Sequence, residues 1–138
     1  MYLRKQTSLN NGYSMTEKGL DDIYIGTDRS FYKSLPIIDG MRIIDVGCGK
    51  AMRDIGKIKE LHDVTIFGID QHLGTPIDIL ETFTDNSFDI AYCNSLFCEL
   101  DDEQVKYVMK HIGRIAKEAF YTELKFGGSL LSFVRKEI

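Results

Sequence analysis

An acid followed by two closely spaced glycines is the feature of this sequence with the clearest chemical use. Asp45 lies near the end of the apolar run 41–46, and Gly47 and Gly49 follow with one residue between them. Glycine lets the backbone turn sharply and lets a ligand approach where a Cβ atom would collide. The loop therefore suits the floor of a site for a flat ligand, although a tight strand-to-helix turn without any ligand needs the same glycines.

The residues around the glycines separate two ligands that such loops hold, dinucleotides and S-adenosylmethionine. A dinucleotide loop needs a third glycine for close helix packing beneath the pyrophosphate, and Met52 occupies that position. The Asp45 carboxylate would repel a pyrophosphate and would favour a cationic ligand. Because S-adenosylmethionine carries a sulfonium and an ammonium group, the sequence favours it over a dinucleotide.

The segment 41–124 resembles the class I S-adenosylmethionine-dependent methyltransferases. Their first motif reads acid, x, Gly, x, Gly, x, Gly, and residues 45–51 match it except that Ala51 replaces the last glycine. The resemblance implies that S-adenosylmethionine is the cofactor and that methyl transfer is the activity. It also implies that four loop residues bind the cofactor: Asp45, Gly47, Cys48 and Gly49.

Two further acids match positions that bind the adenosine part of the cofactor in that family. Asp70, about 20 residues beyond the loop with Gln71 beside it, matches the acid that accepts both ribose hydroxyls. Asp78, with Ile79 beside it, matches the acid that receives the adenine amino group. Each acid has the alternative of an ordinary loop residue without a ligand.

The resemblance also nominates residues for the transfer itself. Methyl transfer from a sulfonium is an in-line displacement, in which positioning the acceptor supplies much of the rate. The family places the acceptor near the ends of strands 4 and 5, so Asn94 is expected to orient it and to contact the cofactor. Glu99 or Glu123 would then act as a general base. A cap or turn hydrogen bond is the alternative role for each of the three.

Strand patterns alternate with helical ones from residue 41 onward. The run 41–46 lacks alternation, which is typical of a parallel strand buried on both faces. The other predicted strands are "VTIFGID", "SFDIAYC", "AFYTEL" and "SLLSFV", with Ile77 and Ile79 in a brief additional one. The order predicts an α/β, Rossmann-like three-layer sandwich, with a shortened and mainly parallel sheet that ends in an antiparallel hairpin.

Two helices are predicted between these strands. The apolar residues of the first recur at every third position; they are Met52, Ile55, Ile58 and Leu61. This spacing predicts one buried side on a short amphipathic helix. Asp101 followed by Gln104 resembles a capping box. The apolar residues at helical spacing behind it are Val105, Val108, Met109, Ile112, Ile115 and Ala116.

The sheet is expected to be abbreviated. Seven residues separate Asp70 from Asp78, where the family has a helix and a full third strand. A shortened sheet leaves an edge or an apolar face exposed. We therefore expect a homodimer or a protein partner to cover it.

Length and composition limit the remaining choices. The 138 residues, 43% of them hydrophobic, predict one domain, with 1–40 as an N-terminal lid or packing extension and 41–138 as the cofactor-binding core;. No apolar run approaches the roughly 20 residues that span a bilayer, and the start lacks a secretory signal. We expect a cytoplasmic protein that does not bind membranes.

Charge and cysteine usage bear on the acceptor and on metals. The net charge of −4 disfavours nucleic acid, and "CNSLF" stands where nucleic-acid amino-methylating enzymes have "N-P-P-Y". A small-molecule acceptor is favoured, although its identity stays open. Cys48, Cys93 and Cys98 lack metal-ligand spacing, so free thiols and no metal site are predicted.

Three functions stay open on the sequence alone. The first, which is favoured, is a compact methyltransferase. The second is a non-catalytic protein that binds S-adenosylmethionine and serves as a regulatory or partner subunit, and Ala51 and the abbreviated sheet support it. The third is a different Rossmann-like binder, for a dinucleotide or for no ligand, which Met52 and Asp45 disfavour.

Overall fold

The computed structural model describes residues 2–4, 13–16, 19–24, 31–94, 96–125 and 128–136. Within these ranges the strands are β1 (Tyr2–Arg4), β2 (Tyr13–Thr16), β3 (Gly19–Tyr24), β4 (Arg42–Val46), β5 (Thr65–Ile69), β6 (Phe88–Cys93), β7 (Ala116–Lys125) and β8 (Gly128–Lys136). The α-helices are α1 (Arg53–Leu61) and α2 (Asp102–Ile115), and 3-10 helices lie at Phe31–Ser34, Gln71–Leu73, Ile77–Thr82 and Phe97–Glu99.

The strands form one sheet in the order β2-β3-β8-β7-β6-β4-β5, with β1 also paired to β8. The four strands β5, β4, β6 and β7 are parallel to one another, and β8 returns antiparallel to β7. The predicted Rossmann-like α/β fold with its terminal hairpin is therefore confirmed. The sheet continues further than the sequence indicates, because β3 and β1 pair with successive parts of β8.

The N-terminal strands lie at the side of the sheet opposite to β5. A lid role for residues 1–40 stays a prediction. The segment "TDRSFYKSL" has the signals of a short helix that Thr27 or Asp28 would cap;. It contains the 3-10 helix Phe31–Ser34, and Thr27 and Asp28 lie outside the described residues.

The two α-helices cover opposite faces of the sheet. Successive strand residues point to opposite faces, so Ile43 packs with Ile58 of α1 and Ile44 packs with Ile112 of α2. All four side chains are fully buried. The predicted three-layer arrangement is thus confirmed.

Helix α2 forms as the sequence predicts. The Asp101 carboxylate accepts a hydrogen bond from Gln104 N at 2.8 Å, and the Gln104 side chain accepts one from Asp101 N at 3.1 Å. This capping box satisfies two backbone donors that the first turn leaves free. The predicted apolar residues from Val105 to Ile115 are buried, while Ala116 already begins β7.

The predicted buried side of α1 is wrong at its ends. Met52 is 43% exposed and Leu61 is 60% exposed, whereas Asp54 and Ile58 are the buried residues of the helix. Met52 precedes the helix in a left-handed conformation, with φ of 49°. Because Asp54 accepts a hydrogen bond from Asn94 at 2.9 Å, a polar residue occupies the buried side where the spacing predicts an apolar one.

The brief strand predicted around Ile77 and Ile79 is also wrong, since a 3-10 helix spans Ile77–Thr82. Helix α2 fixes this segment through Arg114, which donates to the Leu80 carbonyl oxygen at 3.1 Å and pairs with Asp85 at 2.8 Å. Leu80 is fully buried in the α2 layer. The chain therefore passes from β5 to β6 without the helix and the full third strand that the family it resembles has at this point.

Among the residues that the structure describes, none of the helices has the length and apolar character needed to cross a membrane.

Candidate cofactor-binding site

A cavity of about 380 Å³ lies at the carboxyl ends of β4 and β5. Its wall takes Val46 and Gly47 from the end of β4, and Ile69 and Asp70 from the end of β5. The other lining residues are Gln71, His72, Thr75, Pro76, Ile77, Leu96, Glu99, Leu100 and Gln104. Ligands of open α/β sheets bind outside the carboxyl ends of the strands, and this cavity has that position and a size within the usual range for ligand sites.

The glycine loop is held against β5 by its own backbone. Gly47 N and Cys48 N both donate to the Ile69 carbonyl oxygen, at 2.8 and 3.0 Å. Gly47 and Gly49 have φ of 81° and 74°, a left-handed conformation that glycine adopts without the cost that a Cβ atom brings. Ala51, at the third glycine position of the family motif, is exposed and does not line the cavity.

Asp70 joins the two loops that border the cavity. Its Oδ2 accepts a hydrogen bond from Gly49 N at 2.9 Å, and its Oδ1 accepts one from His72 N at 2.8 Å. An ionised carboxylate has about four lone-pair positions, so each oxygen retains the capacity to accept another donor. Asp70 is thus both a structural link and an acceptor at the cavity wall.

Asp45 lies behind the loop, on the α1 face of the sheet. It is fully buried, neither of its carboxylate oxygens has a hydrogen-bond partner among the described residues, and the cavity wall includes Val46 and Gly47 but not Asp45. Burial is the main cause that raises the pKa of Asp45 well above its ordinary value, and the charges of Asp54 and Asp70 add to it. The nearby Tyr92 hydroxyl lowers this pKa, but its geometry is not that of a hydrogen bond, so burial prevails and the neutral carboxyl is favoured.

Asn94 is held by side chains from two other elements. Its Nδ2 donates to Asp54 of α1 at 2.9 Å, and its Oδ1 accepts a hydrogen bond from Thr122 of β7 at 2.7 Å. Thr122 is almost fully buried. The amide therefore links the start of α1 to the ends of β6 and β7, and Asn94 is not part of the cavity wall.

The structure brings four of the predicted site residues together at the cavity wall: Gly47, Asp70, Gln71 and Glu99. It places six others outside the wall: Asp45, Cys48, Gly49, Asp78, Ile79 and Asn94. Asp78 is exposed on the 3-10 helix that follows the wall. The predicted Glu123 side chain, the Cys98 side chain and Ser95 lie outside the described residues.

The two cysteines whose side chains the structure describes are buried among apolar residues. Cys48 and Cys93 are free and buried, and burial raises the pKa of Cys48 to about 11. A raised pKa keeps a thiol protonated and unreactive. Within the described ranges no group of three or more His, Cys, Asp or Glu side chains has an arrangement that would hold a metal ion.

Sequence reasoning missed several wall residues, among them Leu96, Leu100 and Gln104. The sequence pattern indicates Gln104 only as a capping residue, and the structure shows that it both caps α2 and lines the cavity. Leu96 lies inside "CNSLF", immediately after β6. Position after the carboxyl end of a parallel strand is the signal that would have nominated Leu96 and Leu100.

Solved methyltransferase structures share this fold. S-adenosylmethionine-dependent methyltransferases from Aquifex aeolicus and Archaeoglobus fulgidus match 73% and 70% of this chain, with TM-scores of 0.55 and 0.56 and identities of 17% and 15%. A chain in the complex between the Trm112 methyltransferase activator of Haloferax volcanii and a protein assigned as a methyltransferase matches 72%, with a TM-score of 0.55 and 17% identity. No protein-family model and no curated protein matches the sequence.

The comparisons establish the fold of class I S-adenosylmethionine-dependent methyltransferases for this chain. At identities of 15–17% they carry no residue role across. The chain spans between 50% and 65% of the length of these structures.

We predict that Asp45→Asn makes the protein more stable than wild type at neutral pH. A folded-state pKa above the unfolded value means that the stability associated with protonated Asp45 is complete below about pH 4 and is lost as pH rises;. The wild type should therefore lose about 1.4 kcal/mol per pH unit relative to the variant, up to the folded pKa. Urea unfolding between pH 4 and 8 measures this difference.

Asp89→Asn is the control with the opposite sign. Arg42 N, at 2.9 Å, and Lys117 hold the pKa of Asp89 below its ordinary value, so the stability it provides is present above pH 4 and lost as pH falls. Asp89→Asn should be less stable than wild type at neutral pH, with a gap that closes in acid. A gap between Asp45→Asn and wild type that does not vary with pH would contradict the assignment for Asp45.

Proposed function

We propose that this chain binds S-adenosylmethionine in the cavity and transfers its methyl group to a small-molecule acceptor. The observation that carries the proposal is the Asp70 carboxylate at the wall of a cavity that Gly47 also lines, in a chain with the methyltransferase fold. An acceptor-only group suits the two ribose hydroxyls, both of which are donors. A wall that is mainly apolar, with a few polar groups that fix orientation, is typical of sites for small molecules.

The described residues fit the parts of this cofactor. Asp70 would accept the ribose hydroxyls, and Gln71 lies beside it. Ile77 and Leu100 provide apolar parts of the cavity wall, and an apolar wall suits the adenine ring. Asp78 and Ile79 keep their predicted role at the adenine edge only as a proposal.

The residues behind the glycine loop would support the cofactor indirectly. Gly49 donates to Asp70 at 2.9 Å, so it fixes the carboxylate that meets the ribose. Cys48 is buried beneath the loop. Asp45, buried and favoured in its neutral form, would act on the cofactor through the shape of the loop rather than through its charge.

S-adenosylmethionine supplies a methyl group whose bond to sulfur breaks while the acceptor atom forms its new bond, and the released electron pair stays on the sulfur of S-adenosylhomocysteine. Glu99 lies at the cavity wall and would take the proton that the acceptor loses. The Asn94 side chain is held by hydrogen bonds to Asp54 and Thr122. Its predicted role in orienting the acceptor stays part of the proposal. Glu123 keeps its predicted role as the alternative base.

A non-catalytic subunit that binds S-adenosylmethionine is the second candidate, and the free edge of β5 favours it. No described strand pairs with the outer side of β5. Phe67, in the middle of this strand, is 45% exposed and contacts Phe83 with ring centroids 5.5 Å apart. An exposed edge with an aromatic side chain is a surface that a second copy or another protein can cover.

Nucleic acid is disfavoured as a direct partner, because a net charge of −4 gives no general attraction to phosphates. A cytoplasmic location is part of the same proposal, and small metabolites are abundant there. For the acceptor we propose only a chemical class, which is a nucleophile small enough to approach the cavity beside Glu99.

Calorimetric titration with S-adenosylmethionine and S-adenosylhomocysteine tests the proposed function. We expect micromolar binding of both, and about 10–100-fold weaker binding to Asp70→Asn, because hydrogen bonds to a charged group contribute about 1.5–3 kcal/mol. Asp63→Asn is the matched control, since this exposed acid lies at the other end of β5 and should not affect affinity.

Two outcomes would contradict the proposed function. One is the absence of binding to both ligands in a sample that unfolds cooperatively. The other is equal affinity in wild type and Asp70→Asn. A thermal melt of the variant separates loss of the ligand from loss of the fold, because Asp70 also bonds Gly49 and His72.

Light scattering after size-exclusion chromatography tests whether a second copy of the chain covers the β5 edge. If a second copy covers the β5 edge, the wild type will have the mass of two chains, and Phe67→Glu will have the mass of one because a charge replaces the exposed ring. Leu73→Glu, which changes a side chain that is 42% exposed but lies outside the sheet, should leave the mass unchanged. A single-chain mass for the wild type would rule out the homodimer.

A further inference from the structure

Leu96 covers the glycine whose bare surface the ligand is expected to use. A Cβ atom built on Gly47 would lie 2.9 Å from Leu96 Cδ1 and 3.3 Å from Cδ2 and Cγ. Nothing lies within 4 Å of the corresponding position on Gly49. The isobutyl group of Leu96 therefore packs directly on Gly47, on the surface left open by the missing side chain.

The cavity extends across the ends of three strands. Of its lining residues, Asp70 and Ile77 come after β5, Gly47 follows β4 and Leu96 follows β6, and β4 lies between β5 and β6 in the sheet. If Asp70 accepts the ribose hydroxyls, as in the proposed function on which this inference rests, the base lies toward Ile77. The 5′ substituent of the ribose must then extend toward Gly47, where it meets the Leu96 side chain.

Leu96 can move more easily than a core residue. It is half-buried and packs at the border of the α2-side core rather than within it. A leucine at such a border can change rotamer without opening a cavity in the core. The structure shows the arrangement in which Leu96 covers Gly47, and a change of rotamer would uncover it.

We propose that Leu96 is a specificity-determining residue that closes the cavity over Gly47 and selects against long 5′ substituents. A nucleoside with a short 5′ thioether fits beside it. The amino-acid chain of S-adenosylmethionine or S-adenosylhomocysteine enters only after the side chain swings away from Gly47. When the arrangement with Gly47 uncovered is the minor one, the apparent affinity for these two ligands is the intrinsic affinity multiplied by the fraction of molecules in that arrangement.

The test compares S-adenosylhomocysteine with 5′-methylthioadenosine, which has the same nucleoside and sulfur but no amino-acid chain. In Leu96→Ala, affinity for S-adenosylhomocysteine should rise about tenfold, the gain expected when a minor open state of about 10% becomes the only one. Affinity for 5′-methylthioadenosine should change less than about twofold. Calorimetry on wild type and variant gives both values, and Leu96→Val should show an intermediate gain.

Leu100→Ala is the matched control, since it makes the same truncation on the same cavity wall, and the nearest atoms to the Gly47 position all belong to Leu96. It should weaken both ligands to a similar extent. If the ratio of the affinities for S-adenosylhomocysteine and 5′-methylthioadenosine is the same in wild type and Leu96→Ala, the proposed role of Leu96 is wrong and the proposed function is unaffected. If neither ligand binds wild type or any variant, both the proposed function and the proposed role of Leu96 are wrong.

Discussion

The hydrogen bonds of Asp70 are the interaction on which the site depends. One carboxylate group joins the glycine loop after β4 to the 3-10 turn after β5, through Gly49 N and His72 N. Because two loops meet at one side chain, the floor and the side wall of the cavity have a fixed separation. Asp70 also lines the cavity, so the residue that joins the two loops is also the one best suited to bind a hydroxyl ligand.

Sequence patterns predicted correctly those elements that form because of residues close together in the chain. The capping box and apolar spacing of α2, the buried β4 run and the position of Asp70 after a second strand depend on residues close together in sequence. The buried side of α1 could not be predicted, because Asp54 is buried by its bond to distant Asn94. Strands β1 to β3 could not be predicted from their mixed polar sequence, because β1 and β3 form by pairing with the distant β8, and β2 pairs in turn with β3.

The lining of the cavity was predicted in part for the same reason. Spacing along the chain identified Gly47 and Asp70, which stand directly after strands, but it could not show that Asp45 faces away from the cavity or that Leu96 covers Gly47. The short β5 to β6 crossing is a related case, since Arg114 fixes it from α2. Because this crossing adds no strand, β5 stays at the edge of the described sheet. The short connection that borders the cavity therefore also leaves the edge that a partner would cover.

A crystal structure with S-adenosylhomocysteine is the measurement that tests the central claim most directly. The account predicts ribose hydroxyls within about 2.5–3.0 Å of the Asp70 carboxylate, the adenine ring beside Ile77, and the amino-acid chain over Gly47 with Leu96 displaced. A ligand bound at another place, or one in this cavity without contact to Asp70, would contradict it.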